Sequence, residues 1–199
     1  SYEGAVFALQ KQTHSSVHPG GKTALSLLGK AHYLEMSSKK VTLFGASSER
    51  LPKWFIEYDW GVSIDYYPTS FLPARLGITE VGLSTFSIGV SGAARALMEC
   101  LYLAPGKQDL AECYEVMEGL NNLVPDEVQA LLEACRSIKV TRLFLYLAEK
   151  AGHQWFQSLD PEKFHLGRGK RSIVKGGVYI NKYQITVPKE LEESDKSRL

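Results

Sequence analysis

Apolar residues along the chain recur first at helical spacing, then at the spacing of strands, then at helical spacing again. Tyr2, Val6 and Leu9, with Phe7, mark a short opening helix before the turn-prone residues 13–16. His18, Pro19, Gly20 and Gly21 lead into a second helix over 22–28, with Ala24, Leu25 and Leu28 on one face and Gly29 as its stop. Extended patterning follows at 41–44 and 62–67, with a proline-bearing turn at 51–55 between them. The stretch 81–90 is rich in Val, Ile, Phe and Thr, and Gly82 and Gly89 mark possible bulges in it.

From 93 to about 159 the helical period returns. Ser91 suits an N-cap, Ala94, Leu97, Met98 and Leu101 form one face, and Pro105-Gly106 ends the element. Asp109 with Glu112 has the form of a capping box with an acidic first residue. Pro125 fits the first turn of the next helix, where Asp126 and Glu127 favour its dipole. Leu143, Phe144, Leu147 and Ala148 stand at core spacing, Gly152 is a natural stop, and Asp160-Pro161 breaks the pattern. Strands are expected again at 172–174, 178–180 and 184–187, with Gly176-Gly177 as a hairpin turn and a charged, fraying end over 190–199. The fold class predicted is α+β, a mixed β-sheet region with a central helical segment and a C-terminal β-hairpin. It is read as a single domain over 1–199, with sub-regions 1–92 (α+β), 93–160 (helical) and 161–199 (hairpin and tail).

Charge adds an asymmetry to this outline. The chain of 199 residues is 44% hydrophobic and 23% charged, enough for an ordinary core, and its net charge is only +1. Residues 163–189, KFHLGRGKRSIVKGGVYINKYQITVPK, nevertheless carry Lys and Arg without an acid, while 109–135 carry Asp and Glu without a base. The basic run reads in two ways. It is a surface for nucleic acid or another acidic partner, or a hairpin seated on the acidic helices. On the first reading Arg168, Lys170 and Arg171, in a glycine-flanked turn, face the partner with Lys175, Lys182, Tyr179 and Tyr183, the aromatics stacking and the cations meeting phosphate. On the second, the tyrosines pack across strands and the lysines keep the face soluble.

Catalytic and metal chemistry finds little support in the residues. Gly20 to Thr23 reads GGKT, but a phosphate-cradling loop needs an earlier glycine where Ser16 stands. Gly167 and Gly169 begin a GxG, yet Ser172 takes the place of the third glycine and no good strand precedes it. There is no CxxC, no HExxH and no acid two places before a lysine, and His14 and His18 read as loop histidines, so no metal or cofactor is expected. Gly89-Val90-Ser91-Gly92-Ala93 approximates a nucleophile elbow except at Ala93, and Asp109 or Asp126 with His153 or His165 would complete a triad. A small serine hydrolase using Ser91 is therefore the alternative function, against the simpler reading of Ser91 as a cap. Cys100, Cys113 and Cys135 read as buried free thiols of a reducing compartment. No apolar run approaches the ~20 residues of a membrane span and no signal peptide is apparent, so the expected location is the cytoplasm, with no membrane partner.

Several stretches together carry a family resemblance: VHPGGKTALSLLGKAHYL from Val17, VTLFG from Val41, LPKWF from Leu51, the Ser-x-x-x-Arg-Ala start at Ser91, RLFLYLAEKAGHQWFQSLD from Arg142, and LGRGKRSIVKGGVYINKYQITVPKEL from Leu166. With these the chain resembles the AbiEi-type antitoxins of bacterial type IV toxin-antitoxin (abortive infection) systems. The resemblance implies a non-enzymatic antitoxin and transcriptional regulator, in which an N-terminal winged helix-turn-helix binds operator DNA and a larger domain confers antitoxicity. It also implies a nucleotidyltransferase-like toxin as counterpart, countered without need of a stable complex. Because the chain starts at Ser1 inside an apparent helix, it is expected to be the antitoxicity domain lacking the winged helix. Related sequences often place Pro-Glu-Arg after the capping serine; here Gly92, Ala93 and Ala94 precede Arg95, which is expected to keep a structural ion pair.

Overall fold

A computed structural model describes residues 1–30 and 39–193, so the end of the VHPGGKTALSLLGKAHYL stretch and the tail beyond 193 lie outside the described residues. The chain divides into two compact units, Ser1–Leu97 and Met98–Leu199.

In the first unit, α1 (Tyr2–Gln12) is capped by the Ser1 hydroxyl, which accepts from the Gly4 N–H, and buries Ala5, Val6 and Leu9 at the spacing predicted. β1 (His18–Pro19) pairs antiparallel with β2 (Lys40–Gly45), and β2 pairs parallel with β3 (Ser63–Pro68), placing Leu43 opposite Tyr66. Proline is tolerated in β1 because that strand lies at the edge of its sheet, which is why the loop expected there is a short strand. Between β1 and β2 lies α2 (Gly21–Leu27), and between β2 and β3 the segment expected as a turn forms α3 (Lys53–Glu57), anchored by the buried Phe55.

The 81–90 stretch is part of a hairpin rather than one extended run: β4 (Ile78–Gly82) pairs antiparallel with β5 (Ser87–Ser91) in unbroken register, so neither Gly82 nor Gly89 marks a bulge. Gly89 serves a close approach instead. The Gln10 side-chain amide accepts from the Gly89 N–H at 2.8 Å and donates to its carbonyl at 2.9 Å, tying α1 to β5. Glu49 is a second tie, taking hydrogen bonds from the Ser15 and Ser16 hydroxyls and the Ser16 N–H. Partial burial alone would raise its pKa, but these bonds and the Arg75 charge outweigh that and hold it below the usual carboxylate range.

The second unit is built around one helix. α4 (Ala93–Leu103) starts in the first unit and ends in this one, followed by α5 (Leu110–Gly119), α6 (Pro125–Ala134) and α7 (Ile138–Ala151). Asp109 caps α5 as predicted, accepting from the Ala111 N–H, and Glu112 takes a hydrogen bond from Gln108. In α7 every residue from Val140 to Ala148 is buried, and Gly152, at a φ of 73°, ends it in the left-handed conformation glycine favours. The last strands form a three-stranded sheet in the order β6 (Arg171–Ser172), β8 (Ile185–Val187), β7 (Val178–Ile180), and α8 (Lys189–Glu193) closes the described chain. A C-terminal hairpin is present as β7 and β8, but it turns at 181–184; Gly176-Gly177, expected as the hairpin turn, lies between β6 and β7, which do not pair because β8 stands between them and takes β6 in parallel.

All three cysteines are buried, and none is in a disulfide. Among the described residues no helix is long and apolar enough to cross a membrane, and no group of His, Cys, Asp and Glu is arranged to hold a metal ion.

Candidate nucleic-acid interface

The basic run is held on a polar stripe of α7. Arg142, Tyr146 and Glu149 recur at i, i+4 and i+7, on one face of a helix that is otherwise largely apolar. Arg142 is only 2% exposed. Its Nε donates to the Leu166 carbonyl at 2.7 Å, and Nη1 donates to the carbonyls of Gly169 and Gln184 at 2.8 and 3.2 Å. Burial, and next the charge of Arg171, push its pKa down from the ordinary arginine value, although a guanidinium stays charged in proteins. The Tyr146 hydroxyl donates to Glu192, and its ring meets that of Tyr183 edge-on at 6.4 Å.

Glu149 completes the stripe. It accepts from Lys182 Nζ at 2.5 Å and from the Tyr183 hydroxyl. Partial burial opposes its ionisation, but the two hydrogen bonds and the Lys182 charge win, and its pKa lies below the usual range. The Tyr183 phenol moves the other way, pushed well above its ordinary value by burial, then by its bond to Glu149 and that carboxylate's charge.

A carboxyl whose pKa is depressed by folding adds stability above its unfolded value, about 4.3, and loses that contribution as pH falls through the depressed folded value. Wild type is therefore expected to melt above Glu149→Gln at pH ~7, with the gap closing as acid protonates Glu149. Thermal melts of both proteins across that range check this; a gap independent of pH would contradict it.

Of the residues predicted to face a partner, Arg168, Lys170, Arg171 and Lys175 are exposed. Among the described residues none of these four is ion-paired, and in particular none pairs with an acid of 109–135. Lys170 Nζ stands 5.0 Å from the centroid of the Tyr179 ring, which is 38% exposed and lies opposite Thr186 across the β7–β8 pair. Lys182 and Tyr183 are instead engaged by Glu149. The residues that sequence reasoning missed are the anchors, Arg142 and Glu149; their signal was polar side chains at helical spacing inside an apolar helix.

The candidates for the hydrolase reading stand elsewhere. Ser91 is fully buried at the end of β5, whereas a nucleophile elbow presents its hydroxyl. His153 is buried, its Nε2 hydrogen-bonded to the Met117 carbonyl and its ring stacked on Trp155, while His165 is exposed. Arg95, expected to keep an ion pair, donates to the backbone carbonyls of Pro73 and Leu76, both at 2.6 Å.

A family model described as a transcriptional regulator, the AbiEi antitoxin of type IV toxin-antitoxin systems, matches residues 38–188. The chain belongs to this family of AbiEi antitoxins and transcriptional regulators. A second model, the N-terminal domain of such antitoxins, matches residues 1–36. The expectation that the chain lacks the N-terminal winged helix is thus not borne out, because the opening residues themselves match the model of that N-terminal domain. No curated protein matches the chain. Among solved structures, the crystal structure of the RV2827C protein from Mycobacterium tuberculosis is similar with a TM-score of 0.64 and 15% identity, over 94% of this chain and 68% of that one. At that identity the likeness concerns the fold.

Proposed function

We propose that this antitoxin acts in the cytoplasm without a catalytic step, and that its C-terminal sheet contributes a contact to nucleic-acid phosphates. The carrying observation is the set of four exposed cations, Arg168, Lys170, Arg171 and Lys175, without an ion pair among the described residues, carried on β6 and the loops flanking it, with the 166–169 loop hydrogen-bonded to α7. Cations that are not committed to carboxylates meet phosphate without first breaking an ion pair, and each contact releases a counterion. Tyr179, beneath Lys170, adds a ring at the same face, while Lys182 and Tyr183 act as anchors through Glu149. Operator DNA is the nucleic acid this reading favours, with residues 1–36 as the other contact. The toxin counterpart is a nucleotidyltransferase-like protein whose effect is countered without a stable complex.

The triple variant Arg168→Glu, Lys170→Glu, Arg171→Glu tests the reading. Wild type is expected to bind a DNA duplex with log affinity falling against log salt by about 0.9 per phosphate contact. The variant should bind more than ~10-fold more weakly, with a slope shallower by about 2 to 3. Equal affinity and slope for the two proteins would reduce the basic run to a solvated face.

A further inference from the structure

We infer that Arg142 is the positioning residue of the basic face, the group that holds Arg168, Lys170 and Arg171 in one arrangement while itself staying out of reach of the partner. The inference rests on the phosphate-binding reading above.

Three observations carry it. First, two of the three carbonyls that Arg142 grips, those of Leu166 and Gly169, bracket Arg168 in the chain, and Lys170 and Arg171 follow at once. The third, that of Gln184, also accepts from the Arg171 N–H at 2.8 Å, so one guanidinium is tied to both ends of the cationic segment. Second, no carboxylate neutralises Arg142 among the described residues; its polar partners are backbone carbonyls. Its role there is geometric, since a planar fork satisfies acceptors in several directions at once and an ammonium on a flexible stem does not. Third, the loop is seated on α7 beside that grip. A Cβ at Gly167 would come within 2.5 Å of Ile138 Cδ1, so the backbone lies directly on the first turn of the helix.

Positioning by Arg142 is separable from its charge. Arg142→Lys keeps the charge and removes the fork. Gly169→Ala keeps the charge and the fork of Arg142 and strains the loop at one of the carbonyls the fork grips, because Gly169 has a φ of +79° that an L side chain resists, while the space around its Cβ is open. The probe is a 20-base-pair DNA duplex of arbitrary sequence, titrated at several salt concentrations against wild type, both single variants and the triple variant.

Both single variants, with circular dichroism like that of wild type, are expected to bind about tenfold more weakly and with a shallower salt slope, because fewer cations engage together. Wild-type affinity and slope in both, with binding lost in the triple variant, would overturn the positioning role and leave the phosphate reading standing. Weaker binding with an unchanged slope would overturn it as well, since the number of engaged cations would not have changed. Undiminished binding by the triple variant would remove the phosphate reading and this inference with it. Should Arg142→Lys fail to fold, Gly169→Ala decides the matter by the same two criteria.

Discussion

Gly177→Ala is expected to detach β7 from β8 and to lower the stability of the second unit by roughly 3 kcal/mol. A Cβ there would collide with the Val187 carbonyl oxygen and stand 2.8 Å from its carbon and 2.9 Å from Val174 Cγ2. The obstacle is backbone, and rotating a side chain does not relieve it. Val187 is fully buried and paired with Val178, so moving it away breaks the pairing and opens the packing of Ile185 and Val187 together. The adjacent Gly176 makes the control. It has a φ of +68° but nothing within 4 Å of where an alanine methyl would stand, so Gly176→Ala should cost only the left-handed backbone penalty, about 1 to 2 kcal/mol. Urea unfolding, with hydrogen exchange at the Tyr179 and Ile180 amides, separates the two. Equal midpoints for Gly177→Ala and wild type would contradict the close approach.

Arg95→Met is expected to be the costliest single polar change in the first unit, at about 3 kcal/mol or more. Arg95 is 4% exposed and its guanidinium donates to the carbonyls of Pro73 and Leu76, and hydrogen bonds from a charged donor contribute about 1.5–3 kcal/mol each. Those carbonyls lie in the segment that leads into β4, next to Gly77, whose carbonyl accepts from the Gly92 N–H at 2.8 Å. Losing Arg95 therefore frees the approach to the β4–β5 hairpin. Arg95→Lys should recover part of the loss, because an ammonium restores charge and some donors without the fork. Urea midpoints for the three proteins check the order wild type, Arg95→Lys, Arg95→Met; a midpoint for Arg95→Met within error of wild type would contradict it.

What could be read from the sequence was the local part of this architecture. The apolar period through Leu143, Phe144, Leu147 and Ala148, the Asp109 cap and the Gly152 stop all express short-range physics, and all appear in the fold, whereas the hairpin turns at 181–184 and not at Gly176-Gly177. A strand expected at 172–174 is found at Arg171–Ser172, but its parallel pairing with β8, in place of a hairpin with β7, is set by tertiary packing and not by local pattern. Likewise α3 depends on the burial of Phe55, so its proline-led start reads as a turn until tertiary packing is known. For the interface, the one-signed charge of the run was plain, but the difference between Lys170 and Lys182 was not. One lies over an exposed tyrosine ring and the other is committed to Glu149, a distinction created by where α7 places its acid.

Where nucleic acid meets this protein is open to a site-resolved titration. Backbone amide resonances of the full chain are followed as a short DNA duplex is added at low salt. The signals of Arg168, Lys170, Arg171, Lys175 and Tyr179 are expected to move first and return when salt is raised, while those of α5 and α6 stay in place. Shifts confined to other surfaces, with residues 166–180 silent throughout, would contradict it.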